Sequence, residues 1–345
     1  MFPRILVGAV IAIAASADGA TIATAHVESR YALGGAGGWD YPSVDAKAQR
    51  LYLSRGDHVQ VVDTKTGKEL ATIADTPGVH GIALAPQLGR GYISCGRANL
   101  VKVFDLNNNA VLASVATGEN PDAILFDPAT RRVFAFNGRG HSASVIDTRT
   151  NQVVATIALG GKPEFARADG RGAVFVNIED TAELAVLDAR AAVVTARVKL
   201  PGCEEPAGLA FDAVHRRSFS TCANKTMVVV DVDHDKSIAN VPIGAGSDGA
   251  EFDARSQTIL SANGEGNLSF IHEIDADHYE ALPALATQPG ARTLTLDEDN
   301  GRLFLPTAQF EHKAPSDDAH TRRKMIPDTF VVLVVDLAAA RSRSH

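Results

Sequence analysis

The chain of 345 residues lacks the motifs that identify several enzyme classes. It has no Gly-x-Ser-x-Gly, no Cys-x-x-Cys and no His-Glu-x-x-His, so nothing supports a serine hydrolase, a covalent haem or a zinc protease. Residues 244–249 (Gly-Ala-Gly-Ser-Asp-Gly) match the dinucleotide fingerprint but lead into a predicted strand, whereas a pyrophosphate needs a helix N-terminus. The sequence therefore indicates no nucleotide, haem or flavin.

A concentrated basic face is also missing. The formal net charge is −8, and lysine and arginine are scattered among turns such as Arg131-Arg132 and Arg216-Arg217. Because nucleic-acid binding needs clustered positive charge, we do not expect a nucleic-acid partner. With 45% hydrophobic and 21% charged residues, the composition fits a soluble globular protein with a large core.

No apolar run is long enough for a stable membrane span. Residues 5–15 follow Arg4 and have the length of the middle of a secretion signal, and small-residue cleavage sites occur at residues 15–17 and 23–25. We therefore expect residues 1–25 to be a signal peptide with a short leader, and the protein to be periplasmic or secreted. A retained anchor is the alternative. Residues 338–345 are expected to form a tail outside the fold.

What the chain does contain is a repeat of about 42 residues, of the kind typical of β-propeller blades. Each unit has four short apolar runs separated by turn signals. In five units a β-branched run ends at a landmark aspartate, at intervals of 42, 42, 41 and 43 residues: Asp63, Asp105, Asp147, Asp188 and Asp231. In the sixth unit His272 takes this landmark position. The pair His272-Glu273 lies far from the channel and is interpreted as structural.

The repeats predict an all-β fold, a seven-bladed β-propeller of four-stranded antiparallel blades in a single domain over residues 26–337. The last unit lacks its outer strand, and residues 26–33 have no unit of their own. An N-terminal strand that completes the last blade would close the ring and remove the exposed sheet edges. An open array of β-meanders is the alternative. The seventh unit also carries a lid-like insertion at about residues 308–329.

Cysteine is scarce, with three in the chain. Cys203 lies in the connection into the fifth unit and Cys222 ends the second strand of that unit, so both fall at the same end of the blade. We predict a disulfide between them, which also fits an oxidising compartment. Cys95 is left over and is expected to be a small, partly buried thiol.

Alignment of the repeats suggests a site. In a propeller the first strand of each blade is innermost, so the residue five positions before the end of that strand faces the central channel in every unit. Four of these seven residues are carboxylates, and converging carboxylates stay ionised together only if a cation offsets their repulsion. The ring consists of Asp40, His80, Asp122, Glu164, Ala207, Asp248 and Arg292.

Two kinds of ligand follow from this ring. Hard oxygen donors suit Ca²⁺ or Mg²⁺, so a divalent cation is expected on Asp40, Asp122, Glu164 and Asp248. A small ligand would also contact the connections between second and third strands, which emerge on the same face. The alternative is that the acids accept backbone hydrogen bonds and are structural. The expected ligand-binding residues are Asp40, His80, Asp122, Asn137, Arg139, Glu164, Asn263 and Arg292.

The repeats resemble a known family. Residues 59–67 (Val-Gln-Val-Val-Asp-Thr-Lys-Thr-Gly) and 143–151 (Ala-Ser-Val-Ile-Asp-Thr-Arg-Thr-Asn) look like the YVTN-type β-propeller repeat of YncE-like exported bacterial proteins. The resemblance covers about residues 39–336, with the Tyr-Val-Thr-Asn signature present only as variants such as Phe136-Asn137. It implies seven blades and export. Related propellers include lactonases and a metal-dependent antibiotic lyase, so the fold alone does not choose a reaction.

Three functions remain open at this stage. The first is binding of a small ligand or metal ion at the channel mouth. The second is a metal-dependent enzyme of the lactonase or lyase kind, in which His80 or Glu179 acts as general base and Arg292 stabilises the oxyanion. The third is a scaffold for a protein partner, which needs no site at the mouth.

Overall fold

The computed structural model describes residues 25–311 and 324–337. These residues form seven four-stranded antiparallel sheets, the blades of a propeller. The first strand of the chain, β1 (His26–Ala32), precedes the blades. Blade 1 contains β2 (Ser43–Asp45), β3 (Arg50–Ser54), β4 (Val59–Asp63) and β5 (Glu69–Ile73), blade 2 contains β6 (Val79–Ala85), β7 (Arg90–Cys95), β8 (Leu100–Asp105) and β9 (Val111–Ala116), and blade 3 contains β10 (Pro121–Asp127), β11 (Arg132–Asn137), β12 (Ser142–Asp147) and β13 (Gln152–Ala158).

The second half of the chain repeats this pattern. Short 3₁₀ turns occur at Pro86–Leu88, Gly96–Ala98 and Glu179–Thr181. Blade 4 contains β14 (Pro163–Ala168), β15 (Ala173–Ile178), β16 (Glu183–Asp188) and β17 (Val193–Lys199), blade 5 contains β18 (Pro206–Asp212), β19 (Arg217–Cys222), β20 (Thr226–Asp231) and β21 (Lys236–Pro242), blade 6 contains β22 (Ser247–Asp253), β23 (Thr258–Asn263), β24 (Asn267–Asp275) and β25 (His278–Ala286), and blade 7 contains β26 (Thr295–Asp297), β27 (Arg302–Thr307) and β28 (Val331–Asp336).

The ring closes as the sequence predicts. Strand β1 pairs antiparallel with β28, with His26 opposite Asp336 and Ala32 opposite Val331, and so becomes the fourth strand of blade 7. The inner strands also contact one another in a closed circuit, from β2 through β6, β10, β14, β18, β22 and β26 back to β2. The predicted seven-bladed propeller is therefore confirmed.

The hydrophobic core is divided among the interfaces between neighbouring blades. Along β3, the side chains of Leu51 and Leu53 pack against blade 7, whereas Tyr52 between them packs against blade 2. Because each blade is covered on both faces, its middle strands have continuous apolar runs such as residues 331–335. The outer strands face solvent on one side, and β13 accordingly alternates between exposed and buried residues.

The repeated aspartates have a local structural role. Each ends a third strand at the turn into the fourth. The Oδ1 atom of Asp147 accepts the backbone N–H groups of Arg149 (2.8 Å) and Thr150 (3.1 Å), and the other landmark aspartates accept the same pair of N–H groups in their own turns. We call this side of the molecule the turn face. It lies opposite the channel mouth, since third strands run away from the mouth.

The predicted disulfide between Cys203 and Cys222 is present, with a Cα–Cα distance of 5.4 Å. It ties the connection entering blade 5 to the end of β19. Cys95 is a free thiol and is fully buried rather than partly buried. Burial raises the pKa of Cys95 to about 11, so this thiol is unreactive in the folded protein.

Some predicted segments lie outside the described residues. They are residues 1–24 of the predicted signal peptide and leader, the tail, and residues 312–323 of the predicted insertion. The described ends of that insertion are paired, since the N–H of Glu311 donates to the carbonyl of Lys324 at 2.8 Å. Among the described residues, no helix has the length and apolar character needed to cross a membrane.

Candidate functional site

The inner strands bring their first residues together at one cavity of about 520 Å³ around the channel mouth. His80, Asp122, Glu164 and Asp248 are each the second residue of an inner strand, so the backbone repeats their placement from blade to blade. Ala207 is not among the residues that line the cavity. The structure therefore brings together six of the seven predicted ring positions: Asp40, His80, Asp122, Glu164, Asp248 and Arg292.

One sector of the mouth combines an imidazole with two carboxylates. The Nδ1 atom of His80 lies 2.7 Å from Oδ2 of Asp40 and 3.4 Å from Oδ1 of Asp122. The exposed fractions of the three side chains are 28%, 18% and 14%. The group is thus open to the cavity but largely removed from bulk water, where charges interact more strongly.

A second sector holds an ammonium group between two carboxylates. The Nζ atom of Lys162 lies 2.7 Å from Oε1 of Glu164 and also bonds to Oε2 of Glu179. The hydroxyl of Tyr41 donates to Oε2 of Glu164 at 3.2 Å. Burial, aided by the neighbouring Glu179, raises the pKa of Glu164 to about 10. Burial also acts on Glu179, but hydrogen bonds from Glu164 and Lys162 outweigh it and lower the pKa of Glu179. Within this pair the pKa values shift in opposite directions, and a shared proton favours Glu164 over Glu179.

The third sector is an ion pair. The Nε atom of Arg292 donates to Oδ2 of Asp248 at 2.6 Å, which raises the pKa of Arg292. Burial raises the pKa of Asp248, and the attraction of Arg292 offsets this only in part. Among the described residues, Asp122 forms its close ion pair with His80 alone, at 3.4 Å. Burial and the nearby Asp40 raise the pKa of Asp122 to about 7. Asp122 therefore has less compensating positive charge than Glu164, which contacts Lys162, or Asp248, which contacts Arg292.

Three residues predicted to bind a ligand lie elsewhere. Asn137 is buried in blade 3, where its Nδ2 donates to the hydroxyls of Ser142 and Ser144. Asn263 makes the equivalent bonds inside blade 6. Arg139 is exposed. None of the three is among the described residues that line the cavity, because the end of a second strand turns its side chain between blades rather than towards the axis.

Sequence reasoning missed other residues of the mouth, among them Lys162 and Tyr41. Lys162 lies two residues before its ring position, and the equivalent residues of the other blades are Gly38, Gly78, Asn120, Glu205, Gly246 and Gly290. A lysine at a position that otherwise has no cation is a signal that could have revealed it.

Comparison with known proteins supports the fold. No family model matches the chain, and no curated protein matches it. A chain of hydrazine synthase from Kuenenia stuttgartiensis has a TM-score of 0.67 and 13% identity, covering 78% of this chain and 92% of that one. The structure of U3-55K and that of the RRP9 WD40 repeats each have a TM-score of 0.71 at 10% identity, covering 86% of this chain and 94% of theirs. At such identities the likeness shows the propeller fold alone.

Proposed function

We propose that this protein is an exported propeller of the YVTN type that binds a divalent metal ion at the channel mouth and holds a small ligand beside it. The YVTN-like repeats carry the family assignment. The apolar N-terminal run and the disulfide between Cys203 and Cys222 support export, because disulfides persist in oxidising compartments.

The observation that carries the proposal is the convergence of three ligand atoms from distant parts of the sequence. One ligand atom each of Asp40, His80 and Asp122 lies within 4.8 Å of the other two. The raised pKa of Asp122 supports the same view, since this carboxylate lacks the positive charge that a metal ion would supply.

This set is smaller than the one predicted from the sequence, and different in chemistry. Of the four expected carboxylates, Glu164 is paired with Lys162 and Asp248 with Arg292. An imidazole nitrogen replaces them. A donor set of one nitrogen and two carboxylates favours a first-row metal such as Zn²⁺ or Mn²⁺, whereas Ca²⁺ and Mg²⁺ prefer oxygen alone.

The rest of the mouth suggests the ligand class. Lys162 is a hydrogen-bond donor that lines the same cavity as the metal ligands, beside the carboxyl group of Glu164. A metal ion leaves open coordination positions when the protein supplies only three ligands. A small molecule with carbonyl or carboxylate oxygens fits this arrangement, one oxygen on the metal and another on Lys162.

The test is metal binding by chelator-stripped protein, titrated with Zn²⁺ and Mn²⁺ in a calorimeter. Substitution of residues that only support metal ligands lowers metal affinity by about 10–100-fold. The double variant Asp40→Asn with Asp122→Asn removes two ligands and should therefore weaken binding at the mouth by roughly 100-fold or more. Asp127→Asn, at the opposite end of the same strand as Asp122, is the matched control and should leave affinity unchanged. Equal affinity in all three proteins would leave only a scaffold for a protein partner.

A metal-dependent lactonase or lyase is the second candidate. It is favoured by one feature: Glu164 lines the cavity with a pKa raised by burial, as a general acid that protonates a leaving group needs. The predicted roles of Glu179 and Arg292 fit less well, because ion pairs with Lys162 and Asp248 engage both. A lactone panel assayed with and without chelator tests this candidate. Turnover that survives both chelation and Glu164→Gln would contradict it.

A further inference from the structure

A second cluster of ionisable side chains lies on the turn face, between blades 5 and 6. Its central residue, Glu273, is an anomaly in the repeat. It occupies the position directly after the turn landmark, where the side chain is buried in every blade. The other six blades place an uncharged residue there: Thr64, Leu106, Thr148, Ala189, Val232 and Leu337.

Blade 5 departs from the repeat at the turn after its first strand, which faces Glu273. In blades 3, 6 and 7, the aspartate that ends the first strand accepts a hydrogen bond from the side chain three residues later, which is Thr130, Ser256 or Asn300. In blade 5 that residue is His215, which follows Asp212. The Nδ1 atom of His215 lies 2.9 Å from Oδ2 of Asp212 and 3.4 Å from Oε1 of Glu273. Two departures from the repeat, one in each blade, thus meet.

Glu273 is buried without the hydrogen bonds that a buried carboxyl group needs. Its exposed fraction is 0%, yet within the described residues neither of its carboxyl oxygens has a hydrogen-bond partner, and neither does Nδ1 of His215. Arg217 of blade 5 pairs with Asp231 and Asp277. An unpaired buried carboxylate costs several kcal/mol in order of magnitude, so a group of this kind normally has a partner.

The three side chains have the arrangement of ligands around a common centre. One ligand atom from each lies within 4.8 Å of the others. They approach closely, but the N–H of His215 does not point at either carboxylate in hydrogen-bond geometry. A small cation at that centre would contact all three atoms at once, whereas an organic group would not fit beside a fully buried Glu273. The side chain of His215 is 28% exposed, which gives an ion access from solvent.

We propose that Asp212, His215 and Glu273 form a structural site for a divalent first-row metal ion of the Zn²⁺ class, which clips blade 5 to blade 6. Two carboxylates and one imidazole supply the mixed donors that such ions prefer, with water completing the coordination. Because the ligands come from two blades, a bound ion stabilises the folded ring by mass action. This site is independent of the channel mouth, which lies on the other face.

The test is the zinc content and thermal stability of chelator-stripped protein after titration with Zn²⁺. In a background carrying Asp40→Asn and Asp122→Asn, we expect about one bound equivalent and a rise in Tm on saturation. Both Glu273→Leu, which restores the residue type of blades 2 and 7, and His215→Thr should weaken this binding by roughly 100-fold or more and remove the rise in Tm. In the wild-type background the same substitutions should remove one equivalent, whether or not the mouth binds metal.

The chain offers a matched control. His234 also follows an aspartate by three residues, with its Nδ1 atom 2.9 Å from Oδ2 of Asp231, but among the described residues it belongs to no cluster of three possible metal ligands. His234→Thr should therefore retain the bound equivalent. The isosteric Glu273→Gln serves as a second variant if Glu273→Leu does not fold. The proposal is overturned if the parent binds no zinc, or if zinc binding survives in both the His215 and the Glu273 variants.

Discussion

The repeat places two sets of acidic residues on opposite faces of this propeller, the landmark aspartates on the turn face and the ring carboxylates at the mouth. The two sets behave in opposite ways. On the turn face, backbone N–H groups two and three residues further on hold Asp147 and Asp188, and these hydrogen bonds lower the pKa of both. At the mouth, burial raises the pKa of Asp122 to about 7 and that of Glu164 to about 10. The same kind of side chain, repeated by the same period, is stabilised at one end of the blades and strained at the other.

The difference lies in where the hydrogen-bond donors come from. A turn aspartate takes its donors from its own hairpin, so every copy of the repeat brings them along. A mouth carboxylate such as Asp122 instead meets Asp40 and His80, which come from other blades, and takes no donors from a turn of its own. A charged group that the fold brings close to like charges without local compensation is a candidate for ligand binding. The landmark aspartates have donors in their own hairpins, so we regard them as structural.

The largest effect is expected for Asp122→Asn in metal-free protein. The folded-state pKa of about 7 lies above the ordinary value of 3.8, so the folded protein holds the proton more tightly than the unfolded chain. Stability is therefore lost as pH rises from about 4 to about 7, and the penalty, on the order of 4 kcal/mol, persists above that range.

The variant lacks this titration. It should match wild type near pH 4 and be more stable than wild type near pH 8, as measured by urea unfolding with chelator present. A variant less stable than wild type by the same amount at both pH values would remove the contrast between the two faces.

Substitution of a landmark aspartate should lower stability at neutral pH, whereas Asp122→Asn should raise it. Asp147→Ala removes two hydrogen bonds to backbone N–H groups, which should cost about 1 kcal/mol at pH 7. Since the pKa of Asp147 is lowered in the folded state, its stabilisation is present above the ordinary pKa and fades as pH falls through the lowered value. Asp188→Ala should behave alike because its turn has the same bonds. Thermal unfolding at acidic and neutral pH measures both, and a pH-independent loss would argue against an ionised cap.

The smallest effect is that of salt. Repulsion among the mouth carboxylates is partly screened by ions, so raising NaCl from about 0.05 to about 0.5 M should stabilise metal-free wild type by a few tenths of a kcal/mol relative to Asp122→Asn. The same increase in NaCl should stabilise wild type no more than it stabilises Asp147→Ala. An identical salt response in all three proteins would show that the mouth acids do not repel one another.

The sequence predicted the architecture well, because its signals are local. The period of the landmark aspartates reflects a hairpin that each unit builds for itself. Strand β1 could be assigned to blade 7 because one unit lacked a strand and one segment lacked a unit. The pairing of Cys203 with Cys222 followed from their positions at one end of a blade.

The site was predicted only in outline. Equivalence within the repeat brought Asp40, His80 and Asp122 together, but it could not tell which carboxylates have partners. Lys162 engages Glu164 from a position at which the other six blades have no cation. Asn137 bonds to serines of its own hairpin, because the rotation of a side chain at a strand end depends on packing between blades. Glu273 was interpreted as structural, since nothing in its own unit shows that His215 faces it.

The seam in blade 7 constrains the order in which the polypeptide folds. In the other six blades the outer strand follows its neighbour through a short turn, so each blade can form from one contiguous stretch of chain. Strand β1 pairs with β28, which lies at the other end of the propeller sequence. Closing so long a loop is entropically costly and slow. Until that loop closes, blade 7 lacks its outer strand and β28 has an unpaired edge, so we expect ring closure to be the slowest step of folding.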